Sequence, residues 1–374
     1  GVCVKRRLAA YRIKLEVIGP VHVGSGKMFN KKEYFFISKD KIGILDTVKL
    51  YCLVKKLGLQ SEFESYVINN SRIDLAEWLE KYNIDKEKIL PCVSYTLGCK
   101  DTALQRGTKI TVCEQIKDLY GKAYIPGSTI KGMLRTVLLS YDVMKSSGKY
   151  DEYKDKLLSS SNVYQKRNKF LQREINNVEE KAFYTLNRKG TRHNDAVNDF
   201  MSGVIVSDSN PIDIGNIVMC QKLERHAGGA YKSLNVLREC ICPGTDIEFS
   251  LTIDETVCRI TIDDIYRALK VFNRCYNDCF LSAYTGVDML EDNNIFIGGG
   301  TGFVSKTVIY PMLGKSKGIE MSVNVFKNTN VPKEHKHYKD FEYGVSPHIL
   351  KCTKYNGQVL QMGLCKVSSV EKIS

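Results

Sequence analysis

One amphipathic helix in each half of the 374-residue chain limits what it can fold into, because an apolar stripe must be covered by another layer. In the first half, Ile130, Met133, Leu134, Val137, Leu138 and Tyr141 fall at i, i+3, i+4, i+7, i+8 and i+11. Ser128 or Thr129 is the expected N-cap after Pro126-Gly127. In the second half, Ile262, Ile265, Leu269, Phe272, Tyr276 and Phe280 form the stripe, with Thr261 and Asp264 spaced as a capping box. Alternating segments, Tyr11 to Ile18 and Asp246 to Ile253, supply half-buried strands. Each half thus reads as strands and a helix around a glycine-rich turn. The expected class is α+β, with the look of a duplicated unit.

The remaining pattern fills in that frame. Gly19 to Gly26 reads as a turn-rich loop, and Tyr34–Ile37 with Ile42–Leu45 as a hairpin. Helices are expected from about Thr47 to Leu57 and, capped by Ser71, from Arg72 to Tyr82, with Trp78 as a core residue. Tyr95 to Val112 reads as a protruding hairpin, and Lys122 to Ile125 as a strand. Gly203 to Val206 and Ile217 to Met219 open a second set of strands. Ile295 to Ile297 enters the glycine run Gly298 to Phe303, followed by β-like Thr307 to Tyr310. The domain division this suggests is 1–145, a basic, partly helical segment 146–200, and 201–374.

Length and charge narrow the classes. A chain this long exceeds one ordinary core, so two domains are the default. No run of about 18 apolar residues occurs, and the basic start has no leader-length apolar run. A soluble, cytoplasmic protein with no membrane partner is expected. There are 55 Lys+Arg against 42 Asp+Glu, a formal charge of +13. Between Met144 and Arg192 stand twelve Lys/Arg and six Asp/Glu, so nearly half of the excess lies there. A polyanion such as nucleic acid is the partner this favours, against a merely solvated basic surface. The thirteen cysteines show no framework spacing and read as reduced, buried thiols. Cys240-x-Cys242, Cys275-x₃-Cys279 and His335-x-His337 come nearest to zinc spacing, but none is a CxxC, and neither metal nor cofactor is expected.

Gly300-Thr-Gly-Phe-Val-Ser305-Lys306-Thr307 nearly matches the phosphate-cradling GxxxxGK[ST] pattern. Ser305 replaces the required glycine, and the β-like residues beyond offer no helix N-terminus. A GxGxxG dinucleotide site lacks its strand–turn–helix setting too. What remains is three glycine turns, each beside a cation: Gly24-Ser25-Gly26-Lys27, Gly127-Ser128-Thr-Ile-Lys131-Gly132, and Gly298-Gly299-Gly300-Thr-Gly302 with Lys306. Bare backbone amides can approach a phosphodiester closely, although glycine equally serves plain tight turns. Lys131 and Arg135 lie one turn apart near a helix's positive end, or simply on its solvated side. His22 could be a general base, a base-contacting ring or a structural histidine.

The segments Leu15–Gly26, Ala123–Arg135 and Ile297–Phe303 resemble the CRISPR-associated RAMP proteins. Within that superfamily, Leu237–Thr245 and Ser346–Lys351 resemble the fifth Csm subunit of the type III-A effector, the similarity running from about Tyr11 to Val367. The resemblance implies two RNA-recognition-motif-like ferredoxin domains whose glycine loops hold guide RNA. It implies a non-catalytic subunit of prokaryotic antiviral defence, capping the backbone filament, holding the 3′ portion of the crRNA and supporting its maturation. The implied partners are the crRNA, target RNA, the neighbouring RAMP backbone subunit, other Csm subunits and host nucleases that trim the 3′ end. The RNA-binding residues so marked are His22, Gly24, Ser25, Gly26, Lys27, Gly127, Ser128, Lys131, Gly132, Arg135, Arg225, Arg238, Gly298, Gly299, Gly300, Gly302 and Lys306, with no catalytic residue. In the family's filament subunit an aspartate after the first strand cuts target RNA; here Gly19 to Lys32 contains no acid. The alternatives are a metal-independent endoribonuclease that processes repeat RNA with His22 as base, and a purely structural adaptor.

Overall fold

The computed structural model describes residues 7–69, 73–104, 110–146, 148–163, 166, 170–329 and 331–374. The first half contains β1 (Leu8–Val17), β2 (Gly24–Phe29), β3 (Tyr34–Ser38), β4 (Lys41–Leu45), α1 (Thr47–Lys56), α2 (Gln60–Ile68), α3 (Leu75–Lys81), α4 (Lys86–Ile89), β5 (Val93–Gly98), β6 (Thr111–Gln115) and α5 (Gly127–Lys145). Next come α6 (Asp151–Ser161) and α7 (Gln172–Phe183), then β7 (Val204–Val206), β8 (Ile217–His226), β9 (Tyr231–Ile241), β10 (Asp246–Asp254) and α8 (Ile262–Cys279). The chain closes with β11 (Asn294–Phe296), α9 (Ile309–Asn328), α10 (Asp340–Tyr343), β12 (Ile349–Tyr355), β13 (Gln358–Gln361) and β14 (Leu364–Lys372).

The class is the α+β expected, with ferredoxin-like sheets covered by helices. A five-stranded antiparallel sheet runs β11-β14-β1-β10-β7. The alternation of β1 puts Ile13, Leu15 and Val17 inward, and Ile13 lies opposite both Phe249 and Val370. The two striped helices α5 and α8 lie side by side, with Ile130, Val137, Leu269 and Phe272 buried. Removing each such side chain from water contributes about 1.5–3 kcal/mol. The Thr261–Asp264 capping box forms as spaced.

A larger sheet runs β2-β6-β9-β8-β5-β4-β3, with β12 on β8 and β13 on β12. Helices α1 to α4 pack their own core outside its β3–β4 end around Trp78, which stacks on Tyr66 with ring centroids 5.6 Å apart. Trp78 is therefore the core residue expected.

Several local expectations differ. Strand pairing runs across the expected boundaries at 145 and 200: β1 lies between β10 and β14 in one sheet, and β5 and β6 pair with β8 and β9 in the other. A strand buried on both edges and one face belongs with its partners, whatever its distance in sequence. The 146–200 segment is partly helical, but α6 and α7 pack on α9 and α5 and bury Tyr150, Leu157, Val178 and Phe183. Strands β5 and β6 are not a hairpin: β5 pairs with β4 and β8, β6 with β2 and β9, because the β8–β9 hairpin stands between them. The proposed cap Ser71 lies outside the described residues. The helix begins at Leu75, capped by Asp74 in a box with Glu77. Gly24 to Gly26 do continue a ladder, as the irregular edge strand β2. Thr307 to Tyr310 lead into α9, despite their β-branched side chains. Pro311 fits in a first turn, where its missing N–H costs nothing, and Gly314 then kinks the helix.

Candidate nucleic-acid interface

The third glycine turn meets the His22 segment that leads into the first. The segment after β1 and the loop after β11 are joined backbone to backbone: the Gly299 N–H donates to the His22 carbonyl at 2.6 Å. Gly298 sits at φ +81°, and a Cβ there would stand 2.2 Å from the same carbonyl oxygen. Only glycine fits, so this turn is first of all a contact between loops.

That loop roofs one face of the larger sheet. Gly300 lies against the Arg238 guanidinium of β9, and Gly302 against the Lys351 stem of β12. Strand pairing sets these cations on one face: Cys220 is opposite Arg238, and Glu224 two register steps along β8 is opposite Lys351. Lys351 donates to Glu224 at 2.6 Å, and Lys222 approaches the same carboxylate at 3.3 Å. Burial alone would raise the Glu224 pKa, but the two ammonium groups outweigh it and hold the carboxyl at about 2. Burial pushes Lys222 down. Arg238 is half-buried and has no ion pair among the described residues. A half-exposed guanidinium beside glycine backbone is what a phosphate needs for bidentate hydrogen bonding. Lys222 and Lys351 were not singled out in the sequence. Their signal was available in charged residues on the inward-alternating positions of Met219–His226 and Ile349–Tyr355.

His22 is in this junction but inside it, 6% exposed. Its Nδ1–H donates to the Glu239 carbonyl at 2.8 Å, which leaves Nε2 as the lone-pair nitrogen. Burial, reinforced by Arg238 and Lys117, drives its pKa down to about 4, so the ring is neutral at pH 7. The acid-free loop nonetheless gains carboxylates from elsewhere in the fold. Glu239 is buried and taken by Lys117, by the Tyr95 hydroxyl at 2.6 Å and by the Gln115 N–H at 2.9 Å.

The other predicted residues are dispersed. Ser25 and Lys27 lie on edge strand β2, bonded to Glu114 at 2.7 Å and paired with Glu33 at 3.1 Å. Gly26 is open to solvent. Arg225 donates to the Thr285 carbonyl and lies over the Tyr231 ring, while its Nε is buried without a partner among the described residues. Lys306 is exposed just past the glycine loop; Ser305 is buried, donating to Thr301 Oγ1 at 2.9 Å. A helix does follow that loop, so one ground against a phosphate loop falls. Lys306 still precedes its first turn, and the glycine position remains a buried serine.

The start of α5 departs most from expectation. Its N-cap is Pro126, and the Gly127 N–H is not free: it donates to Asp208 at 2.7 Å. A Cβ on Gly127 would stand 2.3 Å from the Val206 carbonyl, so β7 abuts this turn. Arg135 is not on a solvated face. It pairs with Asp199 at 2.7 Å and Glu179 at 3.0 Å and lies 4.0 Å over the Phe183 ring. Lys131 is half-buried nearby, its pKa lowered by burial. Ser128 and Gly132 remain exposed. Of the zinc-spaced pairs, Cys275 and Cys279 touch at 4.0 Å on one helix face.

Comparison with known proteins agrees with this architecture. Over 386 residues, 96% of this chain and 98% of the relative, it is 26% identical to the CRISPR system Cms protein Csm5 of Mycobacterium tuberculosis. It is 25% identical to the Csm5 of Streptococcus thermophilus over 82% of each chain, and 27% to that of Enterococcus italicus over 80% of each. A chain in the cryo-EM structure of a Csm–crRNA–target RNA ternary complex of a type III-A system superimposes with TM-score 0.63 at 18% identity, covering 96% of this chain and all of that one. The crystal structure of T. onnurineus Csm5 superimposes with TM-score 0.52 at 18% identity, over 95% of this chain and all of that one. The family model of the RAMP superfamily matches residues 14–348, and the chain belongs to that superfamily.

Proposed function

We propose that the chain is a Csm5-type subunit of a type III-A effector that holds the 3′ portion of the crRNA at the end of the backbone filament, without cutting RNA itself. The observation that carries this reading is the roof of the Gly298–Gly302 loop over Arg238 and Lys351. Backbone contacts of that kind fix a strand by its phosphates and read little sequence, as suits a guide that changes with every spacer. Among the described residues, the neutral, buried His22 has no exposed acid or second imidazole in hydrogen-bond contact to complete a proton relay. The same position would bring the subunit against a RAMP backbone subunit, target RNA and the nucleases that trim the crRNA end.

The test uses the assembled complex and labelled repeat-containing RNA, scoring retention and cleavage separately. Wild type is expected to retain RNA uncut, with affinity falling with salt at a slope near −0.7 per phosphate contact. Arg238→Gln, which breaks no ion pair among the described residues, is expected to weaken retention roughly 10-fold, as for a lost charged hydrogen bond, with an unchanged melt. Equal retention by Arg238→Gln would remove this face from the RNA path. Specific cleavage that His22→Ala abolishes would replace the capping role with the endoribonuclease.

A further inference from the structure

We propose that His337, Asp340 and His348 form a binding site for a divalent zinc-class cation, on the segment between α9 and β12. This inference is independent of the RNA reading. The three side chains come from the short turns around α10 and from the residue just before β12. They converge so that one ligand atom from each lies within 4.8 Å of the others. His337 Nδ1 stands 3.4 Å from Asp340 Oδ1 and 3.2 Å from Oδ2, and His348 Nδ1 contacts Oδ1. A tetrahedral zinc with bonds near 2.1 Å spaces its donors by roughly 3.4 Å, which the His337–Asp340 separation already matches, while His348 Nδ1 must draw back from its direct contact with Asp340 to admit the ion.

The donor set and its surroundings fit that ion class. Two imidazoles and one carboxylate are a three-ligand set that leaves a fourth position for water or another side chain. Asp340 is fully buried, and a buried carboxylate requires a cation or several donors. Ser346 Oγ donates to its other oxygen at 2.5 Å, the outer hydrogen bond that orients a ligating carboxylate. The His337 ring is held against Phe326 with centroids 4.2 Å apart. His335 stacks beside it at 5.9 Å, and His226 lies 5.4 Å from His348, so further imidazoles flank the cluster. Lys351 on β12 and Lys222 on β8 are occupied by Glu224. The competing account is that the two imidazoles simply hydrogen-bond Asp340 with no ion between them.

An ion here would tie α10 to the head of β12, the strand that carries Lys351. The experiment uses tag-free full-length protein stripped with chelator and dialysed against Zn²⁺, then Co²⁺. Mass spectrometry of the metal counts equivalents, and the cobalt spectrum reports the ligands. Wild type is expected to hold one equivalent, with tetrahedral d–d bands, no thiolate charge transfer, and a melting temperature that falls on chelation. His337→Ala should bind at least 10-fold more weakly, while His337→Cys should restore binding and add a thiolate band. The exposed His193→Ala is expected to match wild type. No bound metal in wild type, thiolate bands in wild type, or equal affinity in His337→Ala would each overturn the site. If His337→Ala does not fold, the thiolate band of His337→Cys decides: its absence overturns the proposal.

Discussion

Replacing Arg135 with alanine separates a structural cation from an RNA ligand on the helix that the sequence marked most clearly. The guanidinium makes a 2.7 Å bond to the mostly buried Asp199 and a 3.0 Å bond to Glu179, which is about a third exposed. The first is a charge-assisted hydrogen bond of about 1.5–3 kcal/mol. The second, screened by water, contributes under about 1 kcal/mol. The contact with Phe183 adds about 0.5–1 kcal/mol. Arg135→Ala should thus destabilise the protein by about 3 kcal/mol and leave Asp199 half-buried without its cation. For a chain of this size that lowers the melting midpoint by roughly 3–6 °C. Arg135→Lys, a single point charge, should recover only part of it. Thermal and urea unfolding of the purified protein would be compared with crRNA retention in the assembled complex. Retention should change only in proportion to the protein that has unfolded. A melt within about 0.5 kcal/mol of wild type, the range for exposed substitutions, would refute the reasoning, and lost retention beside it would make Arg135 an RNA contact.

Gly298→Ala is expected to cost at least about 2 kcal/mol, since it combines a left-handed backbone with a clash on the His22 carbonyl; an unchanged urea midpoint would show that the loop junction yields freely. Glu224 has a folded pKa of about 2 against an ordinary 4.5, so its stabilisation, about 3 kcal/mol, is complete above pH 4.5 and is lost as pH falls towards 2. Urea midpoints against pH should show this acid limb flattened in Glu224→Gln, which also starts less stable because two ammonium groups lose their partner. His22 works in a higher window: with its folded pKa lowered from 6.5 to about 4, the unfolded chain takes the proton first, so stability should fall from pH 6.5 to 4 and stay flat above. A stability profile from His22→Gln identical to wild type below pH 6.5 would refute that.

The elements that pack by their own periodicity were legible in the sequence. The stripes of α5 and α8, the Thr261 box, the alternation of β1 and β10, and the burial of Trp78 follow from spacings of 2 and 3.6 residues, which neighbours cannot alter. The meeting of α+β layers followed from those faces, and the quoted segments carried the superfamily. Tertiary structure decided everything that depends on partners far apart in the chain. Sequence could not show that β1 would lie between β10 and β14, or that β8 and β9 would separate β5 from β6. It offered Arg135 as an RNA contact or a solvated cation because Glu179 and Asp199 lie 44 and 64 residues away and reach it only through the fold of 146–200. It counted no acid near His22, yet Glu239 is within one hydrogen bond of that junction from 217 residues on. Lys351, Glu224 and Arg238 share a face only because strand register aligns them. A side chain's propensity is local and reads directly, whereas its partner, and so its charge state and task, is fixed by packing between distant segments.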